Sequence, residues 1–374
     1  MKKTKICLFS ELWESGGVES FLTEMLKCAD LEGLEIDVVV PKLGKSIFRA
    51  PLEELGVSFI ELSGKIRSPK NFALFRDLIK SRGYDAIHFN LFQSFAFYYI
   101  HVAKSVGVPI RIAHAHGNGL RKSPTRPLKL LLHKLGRILW KKDITARLAC
   151  SDEAASFLFG EGCDEIIKNG INSERFTFSE EARARVRSEL SVQDEPIIGH
   201  VGRMSEEKNQ IFLIKMHSHL VKKIPEARLL LVGDGPTEET LRREAKALGI
   251  ENSVIFYGSS SRVESLMCAM DAFVFPSFSE GLGIVAIEAQ CSGLRVLCSD
   301  GIPKAAFITD LISSLPLSLG EEAWATELYR KLSDTNERKD RRSDIRDAGF
   351  DSTFTARQII KYYNQDKTRE VTYA

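Results

Sequence analysis

The sequence predicts an α/β protein with two doubly wound parallel-sheet domains, and three observations support that prediction. Its 374 residues are too many for one ordinary α/β domain and about right for two. Short apolar runs alternate with helical patterns along the chain, which is typical of parallel sheets covered by helices on both faces. A polar stretch between Asn169 and Pro196 breaks this alternation, so we expect a domain boundary there.

Each half supplies its own series of predicted strands and helices. In the first half the strands are Lys5–Ser10, Glu35–Val40, Val57–Leu62, Asp85–Phe89, Ile110–His114 and Arg147–Cys150, with helices at Val18–Ala29, Lys70–Ser81 and Ser94–Ser105. In the second half the strands are Pro196–Val201, Arg228–Gly233, Ser253–Tyr257, Ala272–Pro276 and Arg295–Ser299, with helices at Lys208–Lys222, Pro236–Ala247 and Ile284–Cys291. A last helix is predicted over about Phe354–Asn364.

Composition excludes several classes of protein. Hydrophobic residues make up 44% and charged residues 27% of the chain, which suits two buried cores under a polar surface. The formal net charge of +2 argues against a nucleic-acid-binding protein. Seven cysteines without a CxxC spacing are typical of reduced thiols in a cytosolic protein. The apolar stretch Ile6–Phe9 is too short for a secretory signal, and no stretch approaches the roughly 18 apolar residues of a membrane span, so we expect a cytoplasmic protein.

Two features of the first half lie where open α/β sheets bind ligands. Gly16 and Gly17 follow the first strand and open a helix, whose N-terminal amides favour an anion, although a purely structural corner has the same composition. His114 and His116 project to one face at the carboxyl end of a strand, either as ligand-binding residues or as satisfied polar residues. The GxGxxG fingerprint is absent from the sequence, which disfavours a nicotinamide dehydrogenase.

Two turns of the second half suit a phosphate group. Gly202 ends a strand, and Arg203 and Lys208 follow as the next helix begins, so two cations flank a helix start. This spacing is also common on ordinary surfaces. The turn Gly233–Pro236 has the glycines of a tight turn and a proline suited to a helix start, which a purely structural turn would also need.

The segment PSFSEGLGIVAIEAQCSG is the most specific motif. Seven residues separate Glu280 from Glu288, and Gly281 and Gly283 lie just before a helix. The amides near Leu282–Ile284 can therefore bind phosphate oxygens, while the two carboxylates accept hydrogen bonds from sugar and ribose hydroxyls. A solvent-facing pair of glutamates is the alternative, but the helix is otherwise largely apolar.

Taken in order, seven segments resemble a known family: GGVE, HAH, NGI, VGRMSEEKN, VGDGP, FYG and EGLGIVAIEA. From Ile6 to about Tyr363 the chain resembles the family 4 retaining glycosyltransferases, and more narrowly those of bacterial capsule, exopolysaccharide and O-antigen synthesis. The resemblance implies a GT-B fold with two Rossmann-like domains facing across a cleft. Residues 1–178 would bind the acceptor and 179–351 the nucleotide sugar, with the helix about 352–366 packing back on the first domain.

The resemblance also implies catalytic roles. Arg203 and Lys208 would neutralise the donor diphosphate as it leaves, in place of a metal ion. Glu280 would hold hydroxyls of the donor sugar, and His116 or His114 would lie beside the transferred sugar. No cofactor and no metal are expected besides the donor substrate.

Donor binding is implied for a wider set of residues. Glu288 would hold the ribose hydroxyls. The sequence departs from the family pattern at two positions, with Arg295 where a proline is frequent and Asn172 where an aspartate is common. These departures bear on the identity of the sugar rather than on the class of reaction. The implied donor-binding residues are Gly16, Gly17, Gly202, Arg203, Lys208, Gly233, Tyr257, Gly258, Glu280, Gly281, Leu282, Gly283, Ile284 and Glu288.

The expected activity is transfer of a sugar from a nucleotide sugar, UDP-linked, to a glycan acceptor on a lipid carrier. Two alternatives share the fold: a sugar-nucleotide epimerase and a non-catalytic partner subunit. A phosphorylase would need a lysine-bound pyridoxal cofactor, for which the sequence has no motif. A non-catalytic subunit would be expected to have lost Glu280, Arg203 or Lys208, and all three are present.

A basic amphipathic stretch, residues 121–147, predicts attachment to the inner face of the cell membrane. Leucines and isoleucine recur in it at helical spacing: Leu128, Leu131, Leu132, Leu135, Ile138 and Leu139. Its basic residues are Arg121, Lys122, Arg126, Lys129, Lys134, Arg137, Lys141, Lys142 and Arg147, against the single acid Asp143. Such a helix lies in the headgroup plane of an anionic bilayer. In the alternative interpretation the leucines pack on the N-terminal sheet.

Overall fold

The computed structural model of the protein describes residues 3–14, 16–62, 66, 68–117, 119, 126–333 and 338–364. The chain divides into two compact units, Met1–Gly170 with Gly349–Ala374, and Ile171–Ala348. The sequence placed this boundary after residue 178 instead. Residues 171–178 belong to the second unit because they contact its side chains: Cys291 Sγ lies 3.5 Å from the carbonyl oxygen of Ser173, and the Arg338 guanidinium lies 4.6 Å from the ring centre of Phe178.

Strands and helices alternate through both units. The strands are β1 Thr4–Ser10, β2 Leu34–Val40, β3 Ser58–Glu61, β4 Ala86–Leu91, β5 Ile110–Ala115, β6 Ala146–Ala149, β7 Glu165–Ile166, β8 Ile197–Val201, β9 Arg228–Val232, β10 Val254–Gly258, β11 Ala272–Phe275, β12 Arg295–Ser299 and β13 Ile312–Leu315. The helices are α1 Gly17–Cys28, α2 Arg49–Glu54, α3 Pro69–Arg82, α4 Phe97–Ser105, α5 Arg126–Trp140, α6 Asp152–Phe159, α7 Glu180–Glu189, α8 Gln210–Leu220, α9 Glu238–Ala247, α10 Val263–Ala269, α11 Ile284–Cys291, α12 Gly320–Leu332, α13 Arg342–Asp347 and α14 Ser352–Tyr363.

Each unit contains one parallel sheet. Over the described residues, the first sheet has seven strands in the order β3-β2-β1-β4-β5-β6-β7, and the second has six in the order β10-β9-β8-β11-β12-β13. The first strand of each unit lies inside its sheet, so the order of strands reverses beside β1 and beside β8. Ligands of open α/β sheets bind at the carboxyl ends of strands near such a reversal.

Alternating residues of β1 explain why both faces of the first sheet are covered. Cys7 and Phe9 pack into one hydrophobic core, and Ile6 and Leu8 pack into the other, because successive side chains of a strand point to opposite faces. All four side chains are fully buried. An apolar run, rather than an apolar–polar alternation, is therefore the pattern that predicts such strands.

The last helix, α14, packs in the first unit. Its Ile359 and Tyr363 join the core that holds Ile6 and Leu8. Tyr362 donates a hydrogen bond of 2.6 Å to Glu165, and Gln358 donates one of 2.7 Å to the same carboxylate. The acidic side chain of β7 thus fixes the helix to the edge of the first sheet.

The predicted series lacks strands β7 and β13 and helices α2, α6, α7, α10, α12 and α13, and one predicted helix is divided in the structure. The predicted helix Lys208–Lys222 is divided into a 3₁₀ turn at Glu206–Lys208 and the helix α8, because Asn209 between them has a left-handed backbone with φ of 55°. Strand β13 was not predicted, since its sequence ISSL carries two serines and is followed by a proline. An edge strand such as β13 needs fewer apolar residues than a central one.

Candidate functional site

The loops after β8, β9 and β10 are hydrogen-bonded to one another at the carboxyl edge of the second sheet. The amide of Gly202 donates to the carbonyl of Val232 at 2.9 Å, and the amide of Met204 donates to that of Asp234 at 2.7 Å. The amide of Gly233 donates to the carbonyl of Gly258 at 2.9 Å. These bonds place side by side three residues that are predicted to bind the nucleotide sugar, Gly202, Gly233 and Gly258.

The glycines of the VGDGP turn are required by this close approach. Gly233 has φ of 133°, and a Cβ on it would lie 2.2 Å from the carbonyl oxygen of Gly202. Gly235 has φ of 154°, and its Cβ would lie 2.2 Å from the carbonyl oxygen of Met204. Both φ values fall where L-residues are strained, so only glycine allows the turn to contact the loop that carries Arg203.

The two predicted cations lie in different surroundings. Lys208 Nζ lies 2.6 Å from Oε1 of Glu280, although the two residues are 72 positions apart. Both side chains keep some solvent contact, with 25% of Lys208 and 12% of Glu280 exposed. Arg203 is exposed and forms no ion pair with a described carboxylate, so its guanidinium is available to an anionic ligand.

The loop of the glutamate motif is held against the Lys208 turn. The amide of Phe278 donates to the carbonyl of Glu207 at 3.0 Å, and the side chain of Asn209 donates to the carbonyl of Pro276 at 3.2 Å. The amide of Glu280 donates to the carbonyl of Gly301 at 3.3 Å. These contacts hold Glu280 beside Lys208 before any ligand is bound.

Helix α11 begins directly after this loop. Gly283 is its N-cap, with a left-handed φ of 79°, and a Cβ there would lie 3.2 Å from the ring of Phe275. Gly281 and Leu282 precede the cap, and Ile284 is the first helical residue. The first amides of a helix have no partner within it, so this end offers donors to a phosphate group. Glu288 is half-buried, one turn into the helix.

In the first unit, three histidines form a cluster near the carboxyl ends of β4 and β5, with His88 and His114 fully buried and His116 half-buried. His88 Nε2 lies 3.1 Å from His114 Nδ1, and the ring centres of His114 and His116 are 4.1 Å apart. The other nitrogen of His88 lies 2.8 Å from the hydroxyl of Tyr363. Burial lowers the pKa of His88 to about 3, and burial with the neighbouring rings lowers the pKa of His114 well below its usual value. These rings are neutral at physiological pH.

Asn90 determines which nitrogen of His116 carries the proton. The Asn90 amide nitrogen is within 3.3 Å of the Phe9 carbonyl oxygen and 3.4 Å of the His88 carbonyl oxygen, so it donates to both. Its oxygen, 2.9 Å from His116 Nε2, therefore accepts the proton of that nitrogen. Burial, with a smaller contribution from His88, lowers the pKa of His116 to about 3. Nδ1 of His116 is thus a lone-pair acceptor, and among the described residues it has no hydrogen-bond partner.

The glycine turn before α1 is already occupied by a carboxylate. Gly16 is the N-cap of α1, and a Cβ on it would lie 2.7 Å from Oε2 of Glu19. The other oxygen of Glu19 accepts a hydrogen bond of 3.1 Å from the amide of Glu14. Gly17 has open space where a Cβ would stand. A ligand phosphate at this turn would meet the negative charge of Glu19, which disfavours the predicted role of Gly16 and Gly17 in donor binding.

Tyr257, the last of the residues predicted to bind the sugar donor, is hydrogen-bonded within the second unit. Its hydroxyl accepts a hydrogen bond of 2.7 Å from Arg262. Arg262 also pairs with Glu189 of α7 at 2.5 Å. In the described part of the chain, no group of three or more His, Cys, Asp or Glu side chains is arranged to hold a metal ion.

Comparisons with known proteins match both halves of the chain. Residues 15–175 match the model of Glycosyltransferase Family 4, and residues 182–342 match the model of Glycosyl transferases group 1. The chain belongs to glycosyltransferase family 4. This glycosyltransferase therefore has a family match on each of its two parallel-sheet units, as the resemblance of its motifs implied.

Individual relatives and solved structures agree with the family. The glycosyltransferase is 28% identical over 363 residues to the putative glycosyltransferase EpsF of Bacillus subtilis (strain 168), covering 93% of each chain. It is 28% identical over 214 residues, 54% of its length and 56% of the relative's, to a GDP-mannose-dependent alpha-(1-6)-phosphatidylinositol monomannoside mannosyltransferase of Mycolicibacterium smegmatis. The structure of Anabaena Alr3699/HepE in complex with UDP matches with a TM-score of 0.75 at 20% identity, over 97% of this chain and 100% of that one. The fold is thus that of GT-B glycosyltransferases, with two Rossmann-like units.

The sequence did not reveal the polar residues whose hydrogen bonds hold the loop of Arg203 in the glycosyltransferase's candidate site. His200, in the buried strand β8, lies 2.9 Å from the carbonyl oxygen of Val274 and 3.3 Å from Nε2 of Gln210. Gln210 donates a 2.9 Å hydrogen bond to the carbonyl of Arg203, and thereby holds the loop that carries this cation. Burial lowers the pKa of His200 to about 4. A histidine within an otherwise apolar strand, IIGHV, was the available signal.

Proposed function

We propose that this glycosyltransferase is a retaining hexosyltransferase that moves a sugar from a UDP-linked donor to a glycan acceptor on a lipid carrier. Its pathway would be the synthesis of a cell-surface polysaccharide. The observation that supports this most strongly is the Lys208–Glu280 pair, 2.6 Å long, in the same group of loops as the start of α11 and as Arg203, which pairs with no described carboxylate. These groups together offer cations and amides to a diphosphate and a carboxylate to sugar hydroxyls.

The proposed reaction needs stabilisation of a leaving diphosphate. As the bond between the sugar's anomeric carbon and the diphosphate oxygen breaks, negative charge grows on the diphosphate. Arg203, Lys208 and the first amides of α11 would neutralise it without a metal ion, since fixed positive groups stabilise charge that develops in a transition state. The acceptor hydroxyl would attack from the face that the diphosphate leaves and would transfer its proton to the departing oxygen. Front-face displacement of this kind keeps the anomeric configuration.

The neutral His116 would bind the transferred sugar. Its Nδ1 carries a lone pair and no proton, so a sugar hydroxyl that reaches this buried atom would donate a hydrogen bond to it. Asn90 would act as a positioning residue, since it holds this tautomer. Glu280 would accept from further hydroxyls of the same sugar, and Glu288 from those of the ribose.

A screen of nucleotide sugars tests the donor. A ligand at 100 times its dissociation constant adds about 2.7 kcal/mol to the apparent stability, so a true donor raises the unfolding temperature measurably. We expect UDP-sugars to do so, in line with the UDP-bound structure that matches almost the whole chain, and GDP-, ADP- and dTDP-sugars to fail. A shift with GDP-mannose alone would contradict the UDP assignment and would favour the donor named for the mycobacterial relative. The double variant Arg203→Ala/Lys208→Ala is the control that should show no shift.

The acceptor side of the proposal rests on helix α5. Its buried face docks on the first unit: Gly136 is so close to the backbone that a Cβ would lie 2.2 Å from the carbonyl oxygen of Ser94. His133 accepts the amide proton of Ser94 at 3.1 Å, and its other nitrogen donates to the carbonyl of Phe157 at 2.9 Å. The docking face of α5 therefore contains a histidine and a glycine, and the half-buried Trp140 at the end of the helix packs on the core as well.

The aliphatic side chains of α5 point away from the core. Five of them are between 42% and 66% exposed: Leu128, Leu131, Leu135, Ile138 and Leu139. The alternative interpretation, in which the leucines pack on the N-terminal sheet, does not hold for these five side chains. The helix Arg126–Trp140 has no acidic residue and carries four basic ones, whereas Arg121 and Lys122 lie outside the described residues. A face of this kind suits an anionic membrane, where each basic residue contributes about 1 kcal/mol.

Within the described ranges, no helix is both long and apolar enough to cross a bilayer. The proposed attachment to the inner face of the cell membrane is therefore peripheral, through α5. It would bring the first unit to an acceptor whose lipid lies in the same membrane.

Vesicle co-sedimentation tests this attachment. The wild type should pellet with phosphatidylglycerol-containing vesicles, should stay in solution with phosphatidylcholine alone, and should be released as salt rises. The double variant Leu131→Glu/Ile138→Glu should lose pelleting and keep donor binding, because both side chains are exposed and support no core. Leu248→Glu, at an exposed leucine of the second unit, is the matched control and should pellet as the wild type does. Pelleting of the double variant at the wild-type level would refute a membrane role for α5.

A further inference from the structure

An exposed phenylalanine lies on the loop that leads into the glutamate motif of the second unit. Phe278 follows β11 and precedes Glu280 by two residues, and its side chain is 60% exposed. Among the described residues its ring has no aromatic or cation–π partner. Single exposed apolar side chains are ordinary on protein surfaces, so the meaning of this one depends on how it is held and what surrounds it.

The backbone of Phe278 is fixed on both sides. Its amide donates to the carbonyl of Glu207 at 3.0 Å. Its carbonyl oxygen is packed against Gly301, where a Cβ would lie only 2.3 Å away. The preceding Ser277 is fully buried, and its carbonyl accepts a hydrogen bond from the hydroxyl of Ser299. The loop therefore holds the ring out to solvent before any ligand is bound, which lowers the entropy that binding would cost.

Two exposed acids flank Phe278. Glu207 and Asp300 lie on the loops that contact its backbone, one after β8 and the other after β12. Neither forms an ion pair with a described cation, and Lys208 beside Glu207 is paired with Glu280 at 2.6 Å. All of these residues belong to the continuous described stretch 126–333. The surface around the ring is thus negatively charged, so it would repel an anionic ligand.

An aromatic ring beside carboxylates fits a neutral sugar. The C–H bonds on one face of a pyranose ring pack on the negative face of an aromatic ring, and its hydroxyls donate hydrogen bonds to carboxylates. The sugar of the donor is joined directly to a diphosphate, which Glu207 and Asp300 disfavour. A sugar of the acceptor glycan carries no such charge at this point, and therefore fits the surface better.

We propose that Phe278 is the stacking residue of a subsite on the second unit that binds a neutral sugar ring of the acceptor. The inference rests on the proposed function, in which Glu280 holds the donor sugar. Only 12% of the Glu280 side chain is exposed, against 60% of Phe278, so the ring lies on the outer side of that carboxylate. The family resemblance assigned the acceptor to residues 1–178 alone, and this subsite adds a contact from the second unit.

Partition of the donor between acceptor and water tests the subsite in the full-length protein. Transfer from the radiolabelled UDP-sugar identified in the screen is measured to neutral octyl glycosides of glucose, galactose, mannose and N-acetylglucosamine. Hydrolysis of the same donor is measured without acceptor. Phe278→Ala should lower the ratio of transfer to hydrolysis about five- to tenfold through a higher acceptor KM, the scale of one aromatic contact. Octyl glucuronide should be a poorer acceptor than octyl glucoside, because Glu207 and Asp300 repel its carboxylate.

Three further variants separate stacking from a structural role. Phe278→Tyr keeps the aromatic face and should keep the wild-type ratio, whereas Phe278→Leu keeps an apolar side chain and should lower the ratio as Phe278→Ala does. Phe354→Ala, at a phenylalanine of α14 that is 51% exposed, is the matched control and should keep the ratio. The proposal is overturned if Phe278→Leu matches the wild type, if Phe278→Ala slows transfer and hydrolysis alike, or if no octyl glycoside accepts the sugar.

Failure of the proposed donor would give a different result. The wild type would then neither bind nor hydrolyse any UDP-sugar, and the inference would fall with the donor assignment. Normal hydrolysis by the wild type, with an unchanged ratio of transfer to hydrolysis in Phe278→Ala, would overturn the acceptor subsite alone.

Discussion

Gly233→Ala is the substitution whose effect follows most directly from the geometry of the donor loops. The new Cβ would stand 2.2 Å from the carbonyl oxygen of Gly202, an atom of the backbone that cannot rotate away as a side chain could. The φ of 133° at Gly233 is also strained for any L-residue. The loop between Gly202 and Lys208, which carries both proposed diphosphate ligands, would have to shift.

The cost can be worked from these two effects. A residue held in a sparsely populated backbone region costs about 1–3 kcal/mol. Relief of the overlap would break the bond from the Gly233 amide to Gly258, 2.9 Å long, at about 1 kcal/mol. We therefore expect Gly233→Ala to destabilise the second unit by about 2–4 kcal/mol and to weaken UDP binding, because Arg203 would be displaced with its loop.

Hydrogen exchange of peptides from residues 197–258 at increasing urea measures the local stability, and calorimetry measures UDP affinity. Gly249→Ala is the matched control, since its φ is 68° but nothing lies within 4 Å of the added Cβ. It should cost about 1–2 kcal/mol, the penalty of a left-handed backbone alone, and spare UDP binding. If Gly233→Ala costs no more than Gly249→Ala and binds UDP normally, the argument from close loop contact is refuted.

Three further predictions concern the ligands, the product and the histidines. Glu288→Gln should weaken the binding of UDP and UDP-sugar alike, whereas Glu280→Gln should spare UDP and impair transfer; equal losses in calorimetry would refute this division. The product should keep the donor's anomeric configuration, and inversion in the proton NMR spectrum would exclude a retaining enzyme. The pKa values of His88 and His116 are near 3 in the folded protein and about 6.5 in the unfolded chain. The contribution of these neutral rings to the free energy of unfolding is therefore complete above pH 6.5 and is lost toward pH 3, by up to about 1.4 kcal/mol per pH unit for each ring. A flat dependence between pH 7 and 5 would contradict neutral buried rings.

The sheets could be predicted because parallel strands are buried on both faces and appear as apolar runs. The run Ile6–Phe9 contributes to both cores of the first unit, and its strand was predicted to within one residue of Thr4–Ser10. Strand β13 escaped prediction because an edge strand with Ser313 and Ser314 lacks that pattern. For α5 the sequence left two interpretations open, a membrane-facing row of leucines and a packed one. The close approach of Gly136 to Ser94 and the hydrogen bond between the Ser94 amide and His133 show that another face is docked.

The position of the candidate site could be predicted from the sequence, but the contacts between its side chains could not. The family resemblance implied that Lys208 and Glu280 serve one donor site, and both residues follow the carboxyl ends of strands of one parallel sheet. Their ion pair depends on the 3₁₀ turn before Asn209, which helical periodicity does not reveal. Asn90 was missed because its role depends on strand register: it lies opposite His114, so that His116 follows within reach of its side chain.

If positive side chains stabilise the leaving diphosphate, turnover of the donor by Lys208→Ala must fall. Hydrolysis or transfer of the UDP-sugar identified in the screen is measured in the presence of a chelator, with Lys215→Ala as a control outside the site. We expect wild-type turnover to survive the chelator, Lys215→Ala to match it, and Lys208→Ala to be about 10²–10³-fold slower, the scale for removing one fixed charge donor. Near-normal turnover of Lys208→Ala, or loss of wild-type turnover in the chelator, would contradict the claim.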